Sequence, residues 1–292
     1  MIDPLVSVLM TAYNREKYIA EAIESVLAST YINFELIIVD DGSIDKTVQI
    51  AESYEVIDKR IKIYINEKNL GDYPNRNKAA SYAKGKYLKY LDSDDLIYSW
   101  GLQAMVYCME KDPLIALGLS TNIKINKELP VVLSQEQSYK FYYFNSLLLT
   151  VGPSATIIRR DIFENVKGFT GKQFVGDTEL WLKIAQTNHL ALMPDNLIYW
   201  REHEQQQICL EQTDEQIDAI RYNIDLSFLQ EINNPLNKND ANKAILKLKN
   251  VKGRTIIKNF ILGNFNKANL SKKKYNLSFY DICKSLIKIK LS

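Results

Sequence analysis

Two short acidic clusters, Asp40-Asp41-Gly42-Ser43 and Asp92-Ser93-Asp94-Asp95, each follow an apolar run of strand-like composition. Carboxylates a few ångströms apart raise one another's pKa values, so a rim that gathers these five acids needs a positive partner. A divalent cation meets that need. Oxygen ligands suit Mg²⁺ or Mn²⁺, and such an ion, held by one or two carboxylates with open positions, typically carries a diphosphate. The structural alternative for either cluster is that Asp and Ser start turns and cap helices.

The elements that must bring the clusters together alternate along the chain. Strands are expected over residues 5–11, 34–40, 61–65, 86–91 and 114–120, with helices over 16–28, 46–57, 74–83 and 99–111 between them. Pro74 suits a first helical position, where its missing N–H is no loss. This rhythm predicts an α/β fold with a doubly wound, mainly parallel, Rossmann-like sheet covered on both faces. Ligands then bind outside the carboxyl ends of the strands, where strand order reverses. After residue 120 come a polar stretch, an aromatic segment over 139–149, a strand over 155–159, a helix over 177–186 and a strand over 196–201. Beyond 204–207 the pattern is helical, over 214–232, 239–260 and 278–291. The boundaries expected are an α/β domain over 1–207, divided near residue 100, and a basic helical C-terminal region over 208–292.

Composition narrows the chemistry. The chain carries 37 basic and 35 acidic side chains and is 46% hydrophobic, enough for a large core. Cys108, Cys209 and Cys283 form no C-x-x-C pair, which favours a reducing compartment over a disulfide framework or zinc knuckle. The start, Met1-Ile2-Asp3-Pro4, lacks a secretory leader's basic segment, and the longest uncharged run, 141–158, is too polar to span a bilayer. A cytoplasmic location is expected. G-x-G-x-x-G and P-loop motifs are absent, as is a G-x-S-x-G elbow, and only His189 and His203 are present.

Taken in order, Val6-Ser-Val-Leu-Met-Thr-Ala-Tyr-Asn14, Phe34-Glu-Leu-Ile-Ile-Val-Asp-Asp-Gly-Ser-Ile-Asp-Lys-Thr47, Asn69-Leu-Gly71 with Asn75-Arg-Asn77, and Leu91-Asp-Ser-Asp-Asp95 resemble successive motifs of inverting glycosyltransferase family 2. The resemblance covers about residues 5–203 and implies the GT-A fold, with a nucleotide-sugar half to about residue 100 and an acceptor half to 207. It places Thr11, Ala12 and Tyr13 against the nucleotide base, Asp40 on the base edge and Arg76 near the base or phosphates. Asp92 would lie by the ribose and the metal shell, with Asp94 as main metal ligand; Asp41 and Asp95 would support the loop or cap a helix. Tyr13 as a buried aromatic and Arg76 as a solvated helix residue are the structural alternatives.

Displacing a nucleoside diphosphate by an acceptor hydroxyl also needs a base. The family's E-D-x-D-like helix is matched by Gly176-Asp177-Thr-Glu-Leu-Trp181, which implies Asp177 as general base, with Gly176 where a glutamate is usual. The alternative for Asp177 is an N-cap. Glu179 and Trp181 are candidates for the acceptor side, Trp181 equally for the core. Tyr199-Trp-Arg-Glu-His203 resembles the family's aromatic-Arg-x-His segment, which would bring His203 to the metal or diphosphate and Arg201 to a phosphate. Gly168-Phe169 matches a feature shaping the acceptor side, or is a turn. His189 reads as a helix C-cap.

From Lys238 onward 14 Lys and Arg face only Asp240 and Asp281, leaving 23 basic against 33 acidic residues in the remainder. Interleaved with Ile, Leu and Phe, these cations suggest an interfacial helix on an anionic membrane or, equally, a helical extension on the catalytic body. Nucleic acid is not expected, for want of an aromatic stacking platform. The reading is a metal-dependent inverting glycosyltransferase using a nucleoside diphosphate sugar, UDP-sugar favoured, and a glycan or lipid-linked glycan hydroxyl. Bacterial surface polysaccharide assembly follows from the resemblance. The alternative is a catalytically silent GT-A-like assembly partner that binds nucleotide or membrane.

Overall fold

Strands β1 (Val6–Ala12) and β2 (Phe34–Asp40) are almost wholly buried, as interior strands of a parallel sheet covered on both faces must be. They pair in parallel, from Val6 beside Phe34 to Ala12 beside Asp40. Helix α1 (Ile19–Leu27) between them lays Ile19, Ala22, Ile23 and Val26 into the core, the i, i+3, i+4, i+7 stripe of an amphipathic helix. α2 (Thr47–Ile57), β3 (Ile61–Ile65), α3 (Asp72–Ser81) and β4 (Tyr87–Tyr90) continue the alternation. Because β1 lies between β2 and β4, strand order reverses there, and the carboxyl ends of these three strands share one rim.

The computed structural model describes residues 3–123, 127–145, 148–172, 174–203 and 215–286. Its second half adds β5 (Leu96–Ile97), α4 (Gly101–Met109), β6 (Ile115–Ser120), β7 (Val131–Leu133), α5 (Gln135–Lys140), β8 (Thr156–Arg159), α6 (Arg160–Asn165), α7 (Gly176–Thr187), β9 (His189–Met193) and β10 (Ile198–Tyr199). The eight-stranded sheet runs β3-β2-β1-β4-β8-β6-β9-β7. β8 is antiparallel to β4 and β6, and β7 to β9, so the sheet is parallel where the acidic clusters end it and mixed beyond. β5 and β10 form a separate antiparallel ribbon directly after Asp95.

Three local expectations change. Helix α3 starts at Asp72, so Pro74 lies third, still within the first turn whose N–H groups lack intrahelical partners. Helix α5 fills part of the polar stretch, started by a capping box between Ser134 and Gln137. His189 opens β9 instead of capping α7; that place falls to Asn188.

The chain divides into two compact units, Met1–Gln206 and Gln207–Ser292. In the second, α8 (Glu215–Gln230), α9 (Lys238–Ile261), α10 (Phe265–Lys274) and α11 (Phe279–Lys284) enclose a small core of Ala219, Tyr222, Ile256, Ala268, Tyr275, Leu277 and Ile282. Helix α10 adds to the three helices expected, and the one expected over 278–291 ends at Lys284, with residues 287–292 outside the described ones. Lys252 pairs with Asp218 at 2.6 Å and Lys249 with Asp281 at 3.1 Å, so part of the basic charge is used within the unit. Among the described residues no helix is long and apolar enough to cross a membrane.

Candidate active site

At the rim, Ala12 lies beside Asp40 across the parallel pair, and Tyr13 projects beyond them, 45% exposed. Thr11 is half-buried one residue earlier. Asp40 is buried. Its Oδ1 accepts the N–H groups of Gly42 and Ser43, and its Oδ2 the Ser43 hydroxyl, so a tight turn fixes the carboxylate while lone pairs remain on it. Asp41 does different work: it accepts from Asn66 Nδ2 and from the N–H groups of Leu70 and Gly71. Gly71, at φ 88°, thereby sets the entry to α3.

The second acidic turn is held by cations. Arg76, buried on α3, donates from Nε to Asp72 at 2.7 Å and sets Nη2 2.7 Å from Asp92 Oδ1. Its Nη1 is buried without a partner among the described residues. Asp94 Oδ2 receives Arg15 Nε at 3.0 Å and lies 2.9 Å from His203 Nε2. His203 stacks on Tyr18 at 4.8 Å, and Arg201 donates from Nε to the Asp94 carbonyl and pairs with Glu21. Asp95 is buried and accepts the Arg201 N–H. Burial first, with the charges of Asp92 and Asp94 added, pushes its carboxyl up to about 7.

Behind this turn sits a fully buried lysine, Lys89, on β4, donating to the carbonyls of Tyr90 and Ser154. Burial pulls its pKa down to about 7, opposed by Asp92 and Asp95. The Ser154 hydroxyl also receives the Asp92 N–H at 3.0 Å. Lys89 and Ser154 therefore tie the acidic turn to the segment before β8. A charged residue inside the apolar run Tyr-Leu-Lys-Tyr is the sequence signal for Lys89.

The donor set suits a divalent cation bound together with a diphosphate. Asp92 Oδ2 and Asp94 Oδ1 have no hydrogen bond to the described residues, and His203 stands beside Asp94. No three described His, Cys, Asp or Glu side chains converge as a cage. Mg²⁺ and Mn²⁺ sites of one or two carboxylates are ordinarily completed by substrate phosphate and water.

Across α3 from the acidic turn lies the start of α7. Asp177 is its second residue, with Val175 at the N-cap position. The Asp177 N–H donates to Tyr73 Oη at 3.3 Å, and its Oδ1 accepts the Thr178 N–H. A Cβ on Gly176 would lie 2.7 Å from the Tyr73 ring, which gives the glycine at this place a steric cause. Glu179 is buried and latches the preceding loop through Thr170 and Lys172. Trp181 takes the core alternative: it is fully buried, its indole N–H donates to the Val151 carbonyl, and it presents no face to an acceptor. Gly168, at φ 61°, abuts Asn77, whose side chain both donates to the Phe169 carbonyl and accepts its N–H. The Gly168-Phe169 pair is thus a junction pinned to α3.

The family model for glycosyl transferase family 2 matches residues 7–167. The chain belongs to this family. A glycosyltransferase of Haemophilus influenzae is 33% identical over 217 residues, 70% of this chain and 67% of that one. The UDP-Glc:α-D-GlcNAc-diphosphoundecaprenol β-1,3-glucosyltransferase WfgD of Escherichia coli is 33% identical over 195 residues, 65% of this chain and 74% of its own. Among solved structures, Staphylococcus aureus TarS 1–349 in complex with UDP-GlcNAc superposes with a TM-score of 0.67 at 20% identity, over 97% of this chain and 81% of that one. A mannosyltransferase of Pyrobaculum calidifontis in complex with GDP-Man and Mn²⁺ gives 0.60 at 14%, over 97% and 86%. This family 2 glycosyltransferase therefore has the GT-A fold, and its parallel half carries the four motifs from Val6 to Asp95.

Proposed function

We propose that the unit Met1–Gln206 is an inverting, metal-dependent transferase that moves a sugar from a nucleoside diphosphate sugar, UDP-sugar favoured, to a hydroxyl of a glycan or lipid-linked glycan in bacterial surface polysaccharide assembly. The observation that carries it is the reach of one helix: α3 holds Asp92 through Arg76 and Asp177 through Tyr73, one turn apart. In this reading the base stacks by Tyr13 and meets Asp40, while Arg76 Nη1, a costly buried donor, finds a ligand oxygen. Asp177 takes the proton of the acceptor hydroxyl as its oxygen bonds to the anomeric carbon from the face opposite the diphosphate, whose bond to that carbon breaks. When bound at Asp92 and Asp94, Mn²⁺ or Mg²⁺ supplies neutralising charge for the departing diphosphate. WfgD's name and the nucleotides held by the two structural neighbours support the donor class.

Calorimetry with UDP, GDP and dTDP, each with and without Mn²⁺, tests the reading. One nucleotide, UDP first, is expected to bind at least about tenfold tighter with the metal, a difference of about 1.4 kcal/mol. A folded protein that binds none of the three would instead be the silent assembly partner.

We also propose that the C-terminal unit docks on anionic membrane. Its α9–α10 corner exposes Ile261 (79%), Leu262 (61%) and Phe265 (59%), with Lys258 and Lys267 on either side in the chain. Exposed apolar side chains flanked by lysine suit a lipid interface. Binding to phosphatidylglycerol vesicles is expected to fall about tenfold or more in Ile261→Ser/Phe265→Ser; equal binding to neutral vesicles would sink the electrostatic part of the idea.

A further inference from the structure

Tyr73 occupies the space that a side chain at position 176 would need. Its ring packs on Gly176 and stacks on Phe169, centroids 5.0 Å apart at 26°. Its hydroxyl oxygen accepts the Asp177 N–H. That amide is one of the orphan donors at the start of α7, where the Glu179 N–H already bonds to the Val175 carbonyl. Burial, then the charges of Asp177 and Asp72, hold the phenol pKa far above its ordinary value, so the hydroxyl stays neutral. One turn further along α3, Arg76 grips both Asp72 and Asp92.

We propose that Tyr73 is the positioning residue for Asp177, standing in for the side chain that Gly176 lacks. The inference rests on the reading of Asp177 as the base. The ring sets the height of the α7 N-terminus above α3, and the hydroxyl fixes the backbone of the base itself. The two sides of the reaction are thereby registered on one rigid helix. Tyr73 and Gly176 form a matched pair: a larger residue at 176 requires a smaller one at 73.

The test uses the full chain in five forms: wild type, Tyr73→Phe, Gly176→Glu, Tyr73→Ala/Gly176→Glu and Asp177→Asn. Three readouts are taken: exchange of the Asp177 amide, calorimetric UDP–Mn²⁺ affinity, and release of UDP from UDP-N-acetylglucosamine and UDP-glucose. Tyr73→Phe keeps the ring, so UDP affinity and donor KM are expected to stay within about twofold. Loss of one hydrogen bond is expected to speed Asp177 amide exchange about tenfold and to lower kcat by a similar factor. Gly176→Glu alone is expected to lose most activity, and the double variant to regain at least about tenfold over it, a rescue that a merely space-filling Tyr73 would show without the Tyr73→Phe effect. Unchanged Asp177 amide exchange in Tyr73→Phe overturns the proposal whatever the donor. If Asp177→Asn is inactive while Tyr73→Phe turns over normally, Tyr73 fails and the base stands. If Asp177→Asn itself turns over normally, the base reading fails first.

Discussion

Asp177→Asn is expected to lower kcat about a thousandfold, within the range a positioned general base contributes, while UDP–Mn²⁺ affinity and the thermal midpoint hardly move. Asparagine keeps the shape and an Oδ1 that can accept the Thr178 N–H, and the Asp177 N–H to Tyr73 is a backbone contact the substitution leaves alone. What it removes is the capacity to take a proton. The stability cost includes the favourable placement of a negative charge in the first turn of α7, about 0.5 kcal/mol. Steady-state kinetics with a transferred donor, set beside calorimetry and a melting curve, separate the cases. A variant with near-wild-type turnover would remove Asp177 from the chemistry and leave it as a helix-start acid. A variant that lost nucleotide binding as well would place it in the donor site.

What is legible in the sequence follows from how far apart the partners stand along the chain. Strand periodicity and turn-forming residues are local, so β1, β2 and β4, the turn after Asp40 and the acidic turn after β4 can all be read from the order of residues alone. The doubly wound sheet, with its reversal of strand order, follows from the β/α rhythm. The antiparallel strand β8 does not: residues 156–159 look like any short buried strand, and direction is decided by where the chain returns after α5. The site shows the same divide. Asp40, Asp92 and Asp94 announce themselves by type and spacing, and Asp177 through the resemblance of its segment to the family's E-D-x-D-like helix. Their partners do not, because Arg15 reaches Asp94 across 79 residues, Lys89 reaches Ser154 across 65 and Asp177 reaches Tyr73 across 104. The family resemblance brings Arg76 near the base or phosphates, with a solvated helix residue as the alternative; its burial, and its partners Asp72 and Asp92, follow from the packing of α3 against β1 and β2. Trp181, set close behind two acids, fits a binding role as well as a core place; it is buried because the whole stretch 178–182 of α7 is buried, which its own position does not announce.

The network around Asp94 makes the outcome of its removal unusual. In wild type the Arg15 guanidinium and the His203 ring share one oxygen of Asp94, so the carboxylate is already engaged before any ligand arrives. On the proposed reading, Asp94→Ala removes a metal ligand and at the same time takes away the carboxylate oxygen that Arg15 Nε and His203 Nε2 share. With Mn²⁺ present, the nucleotide is therefore expected to bind about a hundredfold more weakly than to wild type, because Asp94 would be one of the residues holding the cation that neutralises a diphosphate. Without metal, the same variant is expected to bind as well as wild type or several-fold better, since a negative charge has left the proposed site and Arg15 Nε is turned from Asp94 toward a phosphate while its Nη1 stays on the Tyr13 and Asn14 carbonyls. The Asp94 carboxylate is mostly buried between Arg15 and His203, so a melting curve of the variant accompanies the titration. Calorimetric titration at two Mn²⁺ concentrations and with chelator measures the crossover. If Mn²⁺ tightens nucleotide binding in Asp94→Ala as much as in wild type, the cation is held elsewhere, and the Asp94 carboxylate serves only to anchor Arg15 and His203.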